Sequence, residues 1–410
     1  MKRNGWTLGL LAAGVVSLPT VIHAEEKPTS VLTALGATTL SGYVNTSMIW
    51  DPGTSTASIP GRAFDGPASK QDGFNLDVVS LTLAKPVGEG DWGAGYLVQL
   101  WAGPDAVGFN TSAPNIAGAG GDFAVKQAYV DLHAPLGNGL DIKIGHFNYI
   151  GGYEQPDAGL NPNYSRSYAW TQEPASHTGV LFSYTVNPIL SLMAGVANTV
   201  NNGIDWRAVR DNGIVSQTEK TYMAMASLTA PTNGFGFLGG STLSATVVNG
   251  LNNASGDSGT TPTSGHITSL NVSATAPTPV AGLTVGASYD YTDGPDLPFS
   301  PGVNTESKYV NVTTLYIGYQ ATEKLKLYGR AEYTSASNGF WYAPSATSHN
   351  AELMELTGTL DYSLWKNVIS RVEVRWDHSL TGDRPFGGTA ADPGGEKNDV
   401  TLALNLIYNF

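Results

Sequence analysis

Apolar and polar residues alternate with a period of two along most of this chain. Leu140, Ile142 and Ile144, for example, alternate with Asp141 and Lys143. Successive side chains of a strand point to opposite faces, so this period predicts strands with one apolar and one polar face. The pattern recurs near residues 40–50, 92–100, 127–132, 180–186, 324–333, 368–377 and 400–410. Helical periodicity is almost absent, and an all-β fold is predicted.

The connections between these segments are of two kinds. Short turns, mostly containing Pro or Gly, occur near residues 85–90, 134–138, 187–188, 230–240, 276–281, 320–323 and 364–367. Long polar loops occupy roughly 51–72, 103–122, 150–174, 200–218, 251–264, 293–306, 335–348 and 379–397. The two kinds alternate strictly, which predicts about sixteen strands with both termini on the short-turn side. This asymmetry is typical of a transmembrane antiparallel β-barrel with short periplasmic turns and long extracellular loops.

Composition supports a barrel in a membrane. Charged residues make up 13 % of the chain, against about 25 % in soluble domains. The mean hydropathy is nevertheless only −0.10, as expected when lipid-facing and water-facing residues alternate. The net charge of −13 argues against a nucleic-acid partner, and the absence of cysteine excludes thiol chemistry.

The N-terminus has the pattern of a secretory signal peptide. Lys2 and Arg3 precede an uncharged run from Trp6 to Leu18, and a small-residue cleavage site ends at Ala24. The run is too short for a membrane anchor, which needs about 20 apolar residues. We therefore predict a signal peptide over 1–24, a short periplasmic segment over 25–38 and the barrel over 39–410.

The C-terminus is an alternating strand that ends on an aromatic residue. Leu404, Leu406, Tyr408 and Phe410 share one face. Such an end is typical of the signal by which outer-membrane barrels engage the barrel-assembly machinery, and we interpret Tyr408 and Phe410 in this way. The alternative is an ordinary edge strand that happens to stop at a phenylalanine.

Nothing in the chain predicts an enzyme, a metal site or a cofactor. No two histidines have metal-ligand spacing, and neither a phosphate-binding nor a dinucleotide-binding motif is present. Ser176 and His177 are adjacent, but adjacent strand residues point to opposite faces and cannot easily form a catalytic pair.

Aromatic residues concentrate near the predicted strand ends. They are Trp50, Trp92, Trp101, Tyr184, Tyr289, Tyr333, Trp376, Tyr408 and Phe410. We expect them to form girdles at the membrane interfaces, because their rings favour the headgroup level. A row of lumenal aromatics that guides sugars is the alternative.

Four short stretches carry a family resemblance. They are Phe123–Val130, Gly145–Phe147, the Asn-Tyr-Ser-Arg-Ser run at 163–167, and His177–Val180. Together with the order and spacing of the strands, they resemble the OmpL-like beta-barrel porin family. The resemblance implies a porin in the cell outer membrane, with neither a catalytic residue nor a defined substrate.

The third long loop, residues 150–174, is the candidate for function. General porins with sixteen strands fold this loop into the lumen, and by that analogy we expect it to narrow the barrel. The loop residues expected at the constriction are Tyr153, Glu154, Asp157, Tyr164, Arg166, Tyr168 and Glu173. The basic residues expected on the pore wall are Lys126, Lys143, Lys326, Arg330, Arg371 and Arg375. In the alternative, the loop caps the outside and the wall cations pair locally with Glu332, Glu373 and Asp377.

The function predicted is passive diffusion of small hydrophilic solutes or ions through a water-filled channel. Two alternatives stay open: a substrate-specific channel, and a structural or adhesive barrel whose outer loops bind a ligand. The expected partners are the lipid bilayer, lipopolysaccharide and small solutes, with a homotrimer by analogy of fold. Solute selectivity and ion selectivity are not predicted by the sequence.

Overall fold

The computed structural model describes most of the chain from residue 38 onward. The described residues are 38–52, 57–88, 92–109, 122–200, 203–209, 215–251, 266–294, 309–342, 350–389 and 391–410. The predicted signal peptide and the periplasmic segment as far as residue 37 lie outside them.

Sixteen antiparallel strands close into one barrel. The strands of the chain are β1 (Thr39–Trp50), β2 (Gly73–Lys85), β3 (Gly93–Ala102), β4 (Phe123–Ala134), β5 (Leu140–Asn148), β6 (Ser176–Thr185), β7 (Leu190–Ala197), β8 (Ala208–Val209), β9 (Val215–Ser216), β10 (Thr221–Thr229), β11 (Thr242–Leu251), β12 (His266–Pro277), β13 (Leu283–Asp293), β14 (Tyr309–Gln320), β15 (Leu325–Ala336), β16 (Ala351–Trp365), β17 (Val368–Ser379), β18 (Phe386–Gly388), β19 (Pro393–Glu396) and β20 (Asn398–Asn409). Neighbours along the chain pair in the barrel, and the pairs β8–β9 and β18–β19 are separate hairpins within long loops. The predicted fold class and strand number are confirmed.

The first and last strands pair and close the barrel. Tyr408 lies opposite Val44 in the β1–β20 register. The backbones of Gly42 and Phe410 exchange two hydrogen bonds of 3.0 and 2.9 Å. Closure leaves no free sheet edge, and so every barrel strand has two partners. The side chains of Tyr408 and Phe410 lie outside and are about half exposed.

Seven short and eight long connections alternate around the barrel, as predicted. The long connections contain α1 (Tyr168–Gln172) and 3₁₀ turns at Ala68–Lys70, Pro104–Phe109 and Ala158–Leu160; a further 3₁₀ turn, Gly236–Leu238, lies in a short connection. No helix in the described ranges is long and apolar enough to cross a membrane.

The two faces of the strands differ as the alternation predicts. On β16, Leu356 and Leu360 are 45 % and 48 % exposed on the outside, while Glu355, of the opposite parity, is fully buried. Apolar side chains therefore cover the outer face of the barrel and polar ones face the lumen. One girdle prediction is wrong: Trp101 points inward and is 1 % exposed. It packs edge-on against Phe109, with ring centroids 4.9 Å apart.

The inner wall turns apolar towards the long-loop end of the barrel. Val310, Val312 and Leu353 face inward there and are fully buried. They pack with Trp341 and Phe386 of the long loops in one buried cluster. The polar-inside rule thus fails where loops fold down onto the strand ends, because those positions meet side chains instead of water.

Candidate functional site

The third long loop lies inside the barrel. Its contacts reach wall residues on both sides of the lumen. Asn163 donates to Thr359 of β16 at 2.7 Å, whereas the Tyr164 hydroxyl donates to Ser47 of β1 at 2.9 Å. Asp157 accepts a bond from Gln99 of β3 at 2.7 Å. The loop therefore crosses the space that the barrel encloses.

Internal contacts shape the loop. The Ser167 side chain accepts a 2.9 Å bond from the Trp170 backbone and caps the short helix α1. The Arg166 guanidinium donates to the carbonyls of Tyr164 and Pro156 at 3.1 and 2.7 Å. Gly152, with φ of 87°, supplies a left-handed turn at the start of the loop. Arg166 is thus part of the loop scaffold and is only 2 % exposed.

Wall carboxylates satisfy the loop's backbone donors. Glu373 accepts from the amides of Tyr164 and Ser165 at 2.6 and 2.9 Å. Glu332 accepts from the Tyr168 amide at 2.9 Å. A buried loop without regular structure must find such partners, since an unpaired buried N–H is costly. Two glutamates of the wall thereby fix the middle of the loop.

Wall arginines satisfy its backbone acceptors. Arg371 donates to the carbonyls of Ala158 and Asn161 at 2.9 and 2.7 Å. Arg375 donates to the Arg166 carbonyl at 2.6 Å. The forked guanidinium can bridge two acceptors at once, which a lysine ammonium does less well.

Arg330 connects the loop to the wall through a cluster of charged side chains. It donates to Glu154 of the loop at 2.9 Å and to the Ser165 carbonyl at 2.8 Å. Two further bonds of 3.2 Å join it to Glu355 on β16. Glu154 in turn accepts from the Ser167 amide at 2.9 Å. Arg330 is 3 % exposed, so these bonds form away from bulk water.

Aromatic contacts complete the attachment. The ring of Tyr153 stacks on that of Tyr316 of β14, with centroids 3.9 Å apart and planes 10° from parallel. The Tyr168 hydroxyl donates to Asp377 at 2.7 Å, and its ring lies under the Arg375 guanidinium. Of the predicted loop residues, only Glu154 and Glu173 line the cavity described below.

Five of the six predicted wall cations divide into two groups. Arg330, Arg371 and Arg375 lie together against the loop. Lys143 lies over the Tyr129 ring, 4.9 Å from its centroid, and Lys326 lies near the short-turn rim. The structure therefore brings together the three arginines and leaves these two lysines apart from the loop.

Lys126 reaches the lumen by an irregularity of the sheet. In the β3–β4 register, Gln99 pairs with Gln127 and Leu100 with Val125, so Lys126 is an extra residue. The bulge turns Lys126 inward although it shares the parity of outward-facing Ala128. Its ammonium lies 4.6 Å from the centroid of the Phe109 ring and hydrogen-bonds to Asn148.

Local pairing of the wall charges also occurs. Arg375 lies 2.8 Å from Asp377, and Arg330 lies 3.7 Å from Glu332. Glu373, in contrast, accepts hydrogen bonds from the loop amides. The wall cations therefore bind both their neighbours on the wall and the loop, which combines parts of the two interpretations of the sequence.

Two cations of the first long loop were missed by sequence reasoning. Arg62 folds into the lumen and ion-pairs with Asp377 and Asp399 at 3.3 and 3.4 Å. It also pairs with Asp65: burial opposes ionisation of that carboxyl, but the charge of Arg62 outweighs burial and lowers the pKa of Asp65. The Arg-x-x-Asp spacing, in a loop with few charged residues, could have indicated the Arg62–Asp65 pair from sequence.

Lys70 is the second missed cation. Its ammonium lies 2.8 Å from Asp77 and 2.5 Å from Asp105. Burial would lower the pKa of Lys70, but the two carboxylates outweigh it and raise that pKa. Lys70 remains charged between two acids, and the first loop is tied to the wall.

A cavity of about 700 Å³ remains on the long-loop side of the third loop. Its walls come mainly from the first three long loops and from the long-loop ends of β12 and β13, with Val200 and Phe340 added from two later long loops. Pockets that bind small organic molecules are commonly about 300–1,000 Å³.

Solved structures with a similar fold include an outer-membrane channel, an outer-membrane protein and a porin. One is the outer membrane channel DcaP of Acinetobacter baumannii, with a TM-score of 0.55 and 12 % identity over 91 % of this chain and 97 % of that one. Others are the trimer form of OmpT of Vibrio cholerae, at 0.54 and 11 %, and an anion-selective porin from Comamonas acidovorans, at 0.54 and 10 %; each match covers 91 % of this chain and 99 % of the other. At these identities the likeness shows the fold alone.

Sequence comparison is more specific. None of the curated proteins matches the chain significantly. The family model described as "Putative beta-barrel porin-2, OmpL-like" matches residues 37–410. The match covers the whole barrel, including the loop and the wall residues that hold it, and the chain therefore belongs to the OmpL-like beta-barrel porin-2 family.

Proposed function

We propose that this chain is an outer-membrane porin, a water-filled channel for passive diffusion of small hydrophilic solutes or ions. The observation that carries the proposal is the third long loop, which crosses a polar lumen and is held there by Arg330, Arg371, Glu332 and Glu373. A fixed loop within a barrel sets the width of the path. Charged side chains around it can set ion selectivity.

The proposal includes localisation in the cell outer membrane and assembly there. The signal peptide over residues 1–24 would direct export, and the apolar outer face would contact the bilayer and lipopolysaccharide. Tyr408 and Phe410, outward on the closing strand, would present the signal to the barrel-assembly machinery. One solved neighbour is a trimer, which supports a homotrimer for this chain.

Conductance of the refolded protein in a planar bilayer tests the channel. Stable stepwise currents are expected, and the reversal potential under a salt gradient reports the preferred ion sign. A folded, heat-modifiable barrel without conductance would overturn the proposal and favour the structural or adhesive barrel.

Shortening the loop tests the constriction. Replacing residues 153–168 by a brief Gly-Ser linker should raise single-channel conductance, because the linker no longer crosses the lumen. Should that variant not fold, the double substitution Glu332→Gln with Glu373→Gln weakens two loop anchors and keeps the chain length. Unchanged conductance in folded variants would show that the loop does not limit the current.

A further inference from the structure

The cavity above the third loop has a largely apolar wall. Its apolar lining includes Phe64, Trp170, Val200, Ile267 and Phe340. A lining of this kind favours the body of an organic solute over a hydrated ion, since burying apolar surface is favourable.

One corner of the cavity carries an unusual charge arrangement. Glu173 lines the cavity, and its carboxyl group lies within hydrogen-bonding reach of Asp290, which is fully buried behind it on β13. Asn271 donates to Asp290 at 2.7 Å. Among the described residues, neither acid forms an ion pair with a basic side chain, whereas the acids around Lys70 and Arg330 do.

Two acids in contact without a cation are electrostatically unfavourable. Burial, with the neighbouring Asp290, raises the pKa of Glu173 well above its usual value. A bound cation would neutralise the pair in place of a proton. The corner therefore has a deficit of positive charge that a ligand can supply.

Unpartnered polar atoms lie around the same corner. Asn271 is 1 % exposed, and its Oδ1 has no hydrogen-bond partner. Asp290 is fully buried, and its Oδ2 likewise accepts no hydrogen bond from a donor in the described part of the chain. Such buried atoms are normally satisfied. An ammonium group brings three donors and no acceptor, which suits a site rich in oxygens.

We propose that this cavity binds a small organic cation, with its ammonium group at Glu173 backed by Asp290 and its apolar body against Trp170 and Phe64. The inference deepens the proposed function, on which it rests, by naming a solute class for the channel. A metal ion fits less well, since the described residues hold no group of three or more His, Asp or Glu side chains suited to one.

The lysine that lines the cavity does not oppose this assignment. Lys70 is held between Asp77 and Asp105, so its charge is balanced locally. Glu154 is likewise balanced by Arg330. Of the other lining acids, Asp122 is exposed to solvent, whereas Glu173 is partly buried and has the buried Asp290 beside it.

Phenethylammonium is a suitable probe, with 2-phenylethanol and phenylacetate as its neutral and anionic analogues. In planar bilayers the cation should reduce the single-channel current reversibly at concentrations where the two analogues have no effect. The substitution Glu173→Gln should weaken the apparent affinity about tenfold. The side-chain amide that it introduces can still donate to Asp290, which preserves the local packing.

The matched control is Asp392→Asn. Asp392 is an exposed acid in the last long loop, so this variant removes one charge without touching the cavity, and it should be blocked like the wild type. The proposal would be overturned if 2-phenylethanol blocked the current as well as phenethylammonium does. It would also be overturned if Glu173→Gln left the apparent affinity for phenethylammonium unchanged, or if Asp392→Asn lowered that affinity equally.

Calorimetric titration of the detergent-folded protein separates this site from channel function. If the barrel does not conduct but binds phenethylammonium in a way that Glu173→Gln weakens, the site stands and the porin proposal fails. If the barrel conducts and neither block nor binding occurs, the site fails and the porin proposal stands.

Discussion

Replacing Arg330 should have the largest effect of any single change at the loop. Arg330→Met removes bonds to Glu154, the Ser165 carbonyl and Glu355, all between 2.8 and 3.2 Å. It also leaves Glu332, 3.7 Å away, without that cation. Removing one partner of a buried ion pair typically costs about 3–5 kcal/mol. Water from the lumen can partly solvate the remaining carboxylates, which favours the lower end, about 3 kcal/mol.

The measurement is reversible unfolding by urea in phospholipid vesicles, followed by tryptophan fluorescence. Arg384→Met is the matched control: Arg384 is exposed and makes one 3.1 Å bond to the Gly395 carbonyl. Arg384→Met should change the free energy of unfolding by no more than about 0.5 kcal/mol. A double-mutant cycle with Glu154→Gln then isolates the contact with the loop, and non-additivity of about 0.5–3 kcal/mol is expected for such a contact.

A second readout concerns the channel itself. In Arg330→Met the loop loses three hydrogen bonds from the wall, one at Glu154 and two at Ser165, so open-channel current noise should increase. The reasoning would be refuted if the Arg330 and Arg384 variants unfolded with the same free energy, or if the Glu154 and Arg330 substitutions were strictly additive.

Three further predictions rest on other contacts. Burial raises the pKa of Asp105 to about 7; such an acid stabilises the fold fully below its unfolded pKa of about 3.9 and loses this contribution as pH rises to about 7. The urea concentration at the unfolding midpoint should therefore fall less for Asp105→Asn than for the wild type between about pH 4 and pH 7. Equal falls for the two proteins would contradict this. Gly152→Ala forces a side chain into a left-handed turn and towards the Glu173 carboxylate, and should cost about 1–3 kcal/mol in unfolding free energy; Gly159→Ala, whose added Cβ would meet nothing closer than 4.0 Å, is its control, and equal costs would refute the argument. Phe410→Ala should slow the appearance of heat-modifiable barrel in cells while leaving its conductance unchanged; a normal assembly rate would show that the terminal ring is not a signal.

Much of the barrel could be predicted because each strand obeys a simple rule. Residues that alternate with period two point alternately out of and into the barrel, and lumen-facing Glu355 beside outward-facing Leu356 illustrates the rule. The same parity could have identified Asp361, which ion-pairs with Arg371 at 2.8 Å. Strand count followed from the alternation of short turns and long loops.

The rest depends on tertiary contacts that alternation does not encode. Lys126 faces inward because one extra residue in β4 shifts the register. Trp101 lies near a strand end, where a girdle residue is expected, but its place in the alternation turns its side chain inward. Val310 is buried inside because loops cover the end of β14. The partners of the third loop depend on which strands lie across the lumen, and that distance in space has no counterpart in local sequence.

The attachment of the third loop has a consequence for the order of folding. The Arg375 guanidinium and the Arg166 carbonyl that it binds are 209 positions apart in the chain. The loop's anchors on β14 to β17 all follow it in the chain, so the amides of Tyr164, Ser165 and Tyr168 lack their carboxylate partners until those strands form. Pairings of such sequence separation make folding slow. Loop docking and barrel closure must therefore occur late and nearly together, and a variant with a weakened late strand should accumulate with its loop accessible to protease.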